Sequence, residues 1–198
     1  MERGVNELGG GMIVDMFPHW SYLIRDLFGP IKAVNAVAMT NVPYRVDHDG
    51  NQYACTADDT AYANFELENG LIVNFNSSWC VRVNRRDLLA LQVDGTDGSA
   101  VAGLNNCWIQ SEAQTPRPRW DPYAAVPGTD FLGGWSMMPH REPIENANKT
   151  LWEMFLKHVV LDTPFRWNLL EGAQSALLAE AALQSSVERR WVNLPNLA

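Results

Sequence analysis

Asp15 and His19 stand four residues apart in the stretch GGGMIVDMFPHW (9–20), behind three consecutive glycines and on either side of Pro18. On a helix that spacing puts both side chains on one face. A histidine titrating near neutrality can take a proton from a substrate hydroxyl and return it, and a carboxylate beside it favours the charged ring. Gly10 and Gly11 let backbone approach a ligand closely, and the first amides of a helix, with its dipole, favour partial negative charge there. The set suits proton transfer at a polar, hydroxyl-bearing substrate. Taken alone, the pair is equally well read as a helix N-cap followed by an unrelated histidine on a polar face.

Other polar groups are weaker candidates. His140, in MMPHRE, reaches such a site only if its loop folds over it. Arg82, Arg85 and Arg86 follow a strand ending at Trp79 and could grip a substrate, although solvated charges at strand ends are common. His48 lies between Asp47 and Asp49 with Gly50 behind, which reads as a turn rather than a metal site. His158 reads as a helix residue with its polar needs met. Paired-cysteine zinc spacing, a Ser/His/Asp or Cys/His nucleophile pattern and a phosphate-cradling glycine loop are all missing. The lysines are Lys32, Lys149 and Lys157.

The elements that must position the pair can be read from periodicity. Apolar residues recur at helical spacing from Ile13 to Phe28, and Gly29-Pro30 ends the run. Proline is harmless within a first helical turn, so the regular helix is expected to begin near Asp15, with its carboxylate as N-cap and Pro18 still in the first turn. Residues 31–41 read as a strand, 60–79 as a hairpin turning at Asn69-Gly70, and 88–104 as a second hairpin turning at Asp97-Gly98. Residues 107–111 add a strand. The segment 114–147, with six prolines, is expected to be one long loop, of the kind that forms a lid or binding arm. Thr150-x-x-Glu153 and Asn168-x-x-Glu171 have capping-box spacing and open helices near 151–161 and 169–188. WVNLP (191–195) reads as a closing edge strand. Successive hairpins without intervening helices give an α+β fold with an open, mainly antiparallel sheet.

Bulk properties narrow the class further. A chain of 198 residues fits a single domain spanning 1–198, and its 46% hydrophobic and 19% charged residues are globular values. A net charge of −8 argues against nucleic acid and anionic membrane as partners. The odd, scattered cysteines Cys55, Cys80 and Cys107 favour reduced thiols and a cytoplasmic location. The start MERGVNELGGG lacks the pattern of a secretory signal, and no apolar run approaches the ~18 residues of a membrane helix.

The stretch GGGMIVDMFPHW, then LFGPIKAV, DDTAYANFELENGLIVNFNSSW and LLEGAQSALLAEAALQSSVERRWVNLP, resembles the C-terminal domain of the glucose–fructose oxidoreductase and inositol dehydrogenase family. The resemblance runs in order along nearly the whole chain and is weakest over 114–147. It implies helices on one face of the open sheet and a second face available for oligomerisation. It also implies NAD or NADP as cofactor of the intact protein, with Gly10 and Gly11 beside it, and a sugar, polyol or related hydroxyl compound as substrate. Asp15 matches the family's substrate-orienting aspartate, and His19 the histidine that exchanges the hydroxyl proton while hydride passes to nicotinamide. Arg82, Arg86 and His140 are candidate substrate contacts. Two departures stand out. The family more often shows Asp-x-Gly-x-His, where Phe17 and Pro18 stand here, and the N-terminal dinucleotide-binding domain with its catalytic lysine is absent from the sequence. The chain is therefore expected to be inactive alone. Two rival readings are a binding or oligomerisation module that has lost catalysis, and a metal-assisted enzyme using Asp15 and His19 beside His140.

Overall fold

A computed structural model describes residues 9–84, 87–117, 123, 129–140 and 145–197. The chain forms two compact units, Met1–Arg82 with Asp162–Ala198, and Val83–Leu161.

The first unit holds the α1 helix (Met12–Phe28), strand β1 (Ile31–Met39), a small hairpin of β2 (Tyr44–Val46) and β3 (Gln52–Ala54), and the hairpin β4 (Thr60–Leu67) and β5 (Ile72–Ser78). The last two strands turn where Gly70 adopts φ +86° and donates its amide to the Leu67 carbonyl. A long helix of this unit, Leu169–Glu188, and a short edge strand, Val192–Asn193, come from the end of the chain. That edge strand, β1, β4 and β5 form, in this spatial order, an antiparallel sheet. The two helices lie on one face of it. Alternation explains why: Ala61, Ala63, Phe65 and Leu67 of β4 are buried, while Tyr62 between them is exposed. On α1 the buried residues Ile13, Phe17, Ser21 and Ile24 follow one helical stripe. Phe17 meets Phe65 and Phe75 edge-on, with ring centroids 5.6 and 5.1 Å away. Phe17 is thus spent on the core.

The second unit carries β6 (Leu91–Asp94), β7 (Gly98–Ala102), β8 (Cys107–Ser111) and β9 (Ser136–Met137), paired in that order as an antiparallel sheet. Its helix is α2 (Ala147–Leu161). The helix Leu169–Glu188 is accordingly α3, and Val192–Asn193 is β10.

Several element boundaries differ from their sequence expectation. The turn between β6 and β7 lies at 95–97, and Gly98 already belongs to β7, paired with Ser111 of β8, where a Cβ would sit 2.4 Å from the Gln110 carbonyl oxygen. The expected loop 114–147 contributes β9. Helix α2 starts at Ala147, its first amides bonded by the Asn146 side chain, so Thr150 lies inside the helix rather than capping it. Asn168, by contrast, caps α3 as expected, accepting from the Glu171 amide at 3.1 Å.

Candidate active site on the first helix

The regular part of α1 begins at Met12 and not at Asp15, with Gly11 at the N-cap and no side-chain cap of its own. The expectation that Asp15 caps the helix is overturned. Its cap comes from 45 residues further along the chain: the Met12 amide donates to the Asp58 backbone carbonyl at 2.8 Å, and the Ile13 amide to the Asp58 carboxylate at 2.8 Å. Gly11 makes room for that carboxylate. Its φ is +131°, and a Cβ would lie 2.4 Å from an Asp58 carboxylate oxygen. Pro18 then falls in the second turn, not the first, where it removes the amide that would pair with the Val14 carbonyl. Nearby, the Ser21 hydroxyl lies 2.8 Å from both the Pro18 carbonyl and the Ser175 hydroxyl. Ser175 itself donates to the Glu171 carbonyl, so the two small buried serines let α1 and α3 approach closely with their hydroxyls satisfied.

Helix geometry sorts the residues around this turn. Phe17 lies on the opposite side of α1 from Asp15 and His19, at about 100° per residue. Burying Phe17 therefore turns the pair away from the core. Asp15 is half-buried in the first turn and His19 is exposed. The Nδ1 of His19 lies 2.6 Å from the Asp15 backbone carbonyl. A carbonyl can only accept, so Nδ1 carries the proton. In the neutral ring the lone pair then sits on Nε2, and that nitrogen can accept a proton from a hydroxyl and give it back. The same stripe of α1 continues through Tyr22 and Asp26. Tyr22 meets Trp167 edge-on, and Asp26 pairs with Arg166, whose guanidinium covers the Trp167 ring at 4.3 Å.

Gly10 is half-buried and Gly11 buried. Arg82 is exposed in the irregular segment after β5, and His140 is exposed in the second unit. Arg86 lies outside the described residues. His48 sits in the exposed β2–β3 turn, where the Asp47 carboxylate accepts the amides of Asp49 and Asn51. Among the described residues no three His, Cys, Asp or Glu side chains gather as a metal site would require.

Sequence reasoning missed the residues that hold the site's support. Asp58 and Asp59 are both buried and back to back just before β4. Burial pushes the Asp58 carboxyl up, against the opposing Ile13 amide bond. Burial acts on Asp59 in the same sense but is outweighed by the amides of Asn41 and Val42, the Cys80 thiol and Arg45, which bring it down to about 2. Arg45 bonds that carboxylate at 2.9 Å. The signal available in the sequence was the DD of DDTAYANF, two acids at the mouth of an apolar strand, where solvated residues would ordinarily stand.

A family model described as the GFO/IDH/MocA C-terminal domain matches residues 1–101. The chain belongs to this family. It is 45% identical over 195 residues to a D-xylose dehydrogenase of Paenarthrobacter nicotinovorans, a match covering 96% of this chain and 50% of that protein. The fold is shared with levoglucosan dehydrogenase in complex with NADH and levoglucosan (TM-score 0.77, 18% identity, 100% of this chain and 54% of that one). It is shared also with an NAD binding oxidoreductase from Klebsiella pneumoniae (TM-score 0.75, 19% identity, 99% and 54%). The chain thus spans about half the length of these relatives.

Proposed function

We propose that this chain is the substrate-binding and acid/base portion of an NAD(P)-dependent oxidoreductase acting on a sugar, polyol or related hydroxyl compound, its cofactor-binding portion lying outside the chain. The observation that carries the reading is the Nδ1–H bond from His19 to the Asp15 carbonyl, which leaves Nε2 as the proton acceptor on the exposed face of α1. His19 takes the hydroxyl proton as the carbinol carbon is oxidised and returns it in the reverse direction. Asp15, one turn earlier, orients the substrate.

Relatives named as sugar dehydrogenases, one seen with NADH, support NAD as the cofactor and a sugar as the substrate class. A dinucleotide cradle is built from parallel strands joined by crossover helices, with a glycine-rich first turn. Every strand pairing among the described residues is antiparallel, so these residues offer no such cradle. The bound nicotinamide would supply the hydride acceptor; this chain's residues bind and orient the hydroxyl compound and move its proton. Gly10 and Gly11 bring backbone towards the cofactor, and Arg82 is assigned to substrate contacts. The outer face of the first sheet, with Met39, Tyr62 and Ile72 exposed, is the surface for a second copy. With a net charge of −8, neither nucleic acid nor anionic membrane is a partner, and free cysteines fit the cytoplasm.

The test is an assay of the polypeptide in which this chain is joined to a dinucleotide-binding portion, with NAD and NADP against a panel of aldoses and polyols. Turnover of at least one sugar is expected, and none from the isolated chain. A folded parent that reduces neither cofactor with any of them would favour a non-catalytic binding module.

A further inference from the structure

The carboxylate that holds the first turn of α1 comes from the loop just before β4. Asp58 grips the helix entry at three points: its backbone carbonyl accepts the Met12 amide, its carboxylate accepts the Ile13 amide, and a carboxylate oxygen fills the space a Cβ of Gly11 would take. From Gly11 two hydrogen bonds lead to the proposed reacting group. The Gly11 carbonyl accepts the Asp15 amide at 3.0 Å, and the Asp15 carbonyl accepts Nδ1–H of His19 at 2.6 Å. Phe17, packed between Phe65 and Phe75, fixes the rotation of the helix but not the start of this ladder. Pro18 takes away one rung beside it, which leaves the entry more dependent on outside support.

We propose that Asp58 is a positioning residue for His19: by locking the glycine entry of α1 it sets the Asp15 carbonyl that selects the Nδ1–H tautomer and keeps the Nε2 lone pair facing the substrate. The inference rests on the reading of His19 as the acid/base, but its claim concerns ring geometry and can be read without turnover. Which nitrogen of an imidazole carries the proton is set by the hydrogen bond its partner nitrogen makes. A residue that merely stabilised the helix would lower the melting temperature of its variants and leave the tautomer of the folded chain unchanged.

The experiment is nitrogen-15 NMR of the imidazole side chains of the 198-residue chain in mildly alkaline solution, with the His19 signals assigned by their loss in His19→Asn. The wild type is expected to show the Nδ1–H tautomer as the dominant form. Asp58→Asn keeps an acceptor oxygen for the Ile13 amide and is expected to retain it. Asp58→Ala, folded by circular dichroism, is expected to lose that dominance to the Nε2–H form. Should Asp58→Ala fail to fold, Asp58→Ser, whose oxygen is one bond short of the carboxylate's reach, is read by the same criterion. The proposal is overturned by a folded Asp58→Ala or Asp58→Ser with an unchanged tautomer, by its loss in Asp58→Asn, or by an Nε2–H wild type. The acid/base reading fails separately, if the ring behaves as expected and yet a His19 variant of the parent turns over normally.

Discussion

Asp58 and Asp59 are neighbours in sequence and opposites in electrostatics, and the difference is set by what each faces. Asp59 is fully buried but receives two backbone amides, a thiol and a guanidinium, so its ionised form is favoured and its carboxyl sits at about 2. A carboxyl lowered on folding contributes stability that is fully present above its unfolded value of about 4 and is lost as pH falls through the folded value, here about 2–3 kcal/mol in all. Asp58 is raised instead, so ionising it costs some stability as pH climbs above the usual carboxylate range. Thermal melts should therefore show a steep loss of stability between about pH 4 and pH 2. In Arg45→Ala that loss should be shallower, because one partner of the low Asp59 value is gone. The variant should also be about 2–3 kcal/mol less stable at neutral pH, below the full cost of breaking a buried pair because Arg45 is partly exposed. An Arg45→Ala chain with the wild-type pH profile would contradict this. At the same scale, Gly11→Ala meets both a positive φ and the Asp58 carboxylate, and should cost about 1–3 kcal/mol in denaturant titration.

At the scale of elements, the helix stripe of α1, the Asn69-Gly70 turn and the antiparallel hairpins were legible because their causes are local: periodicity, turn chemistry and β-branched runs. What was not legible was the start of α1. The sequence places a proline at 18 and an acid at 15, and the local rules assign them to a first turn. Tertiary contact moves the start back to Met12, because Asp58 supplies from the loop before β4 the acceptors that Asp15 would otherwise have provided. The same limit applies to α2, where Asn146 outcompetes the Thr150–Glu153 spacing as the cap. In the candidate site, Asp15 and His19 were visible by spacing, whereas Asp58, Asp59 and Arg45 act across 14 to 45 residues and left only an unusual pair of acids before an apolar strand. Phe17 tests the packing side of this picture. Its ring fills the junction of α1, β4 and β5, so Phe17→Ala should lower unfolding free energy by about 3–5 kcal/mol, while Tyr62→Ala on the outer face of the sheet should change it by far less. Equal losses at the two positions would mean that α1 does not sit on the sheet as described.

At the scale of the whole molecule, the first unit presents one covered and one open sheet face. The open face mixes exposed Met39, Tyr62 and Ile72 with polar Asn64 and Asn74, which bond to one another at 3.0 Å, and with the Lys32–Glu66 pair. Among the described residues no helix is long and apolar enough to cross a membrane. The family model is that of a C-terminal domain, and the chain spans about half the length of the dehydrogenases it matches. His19 is what this chain would bring to the chemistry. The most direct measurement is the turnover number of the joined polypeptide with its best sugar, wild type against His19→Ala, after confirming that both have the same melting temperature. Removal of a general acid/base should lower kcat by about 10²–10⁴-fold. A His19→Ala enzyme that turns over within a few-fold of wild type would show that the proton moves through some other group.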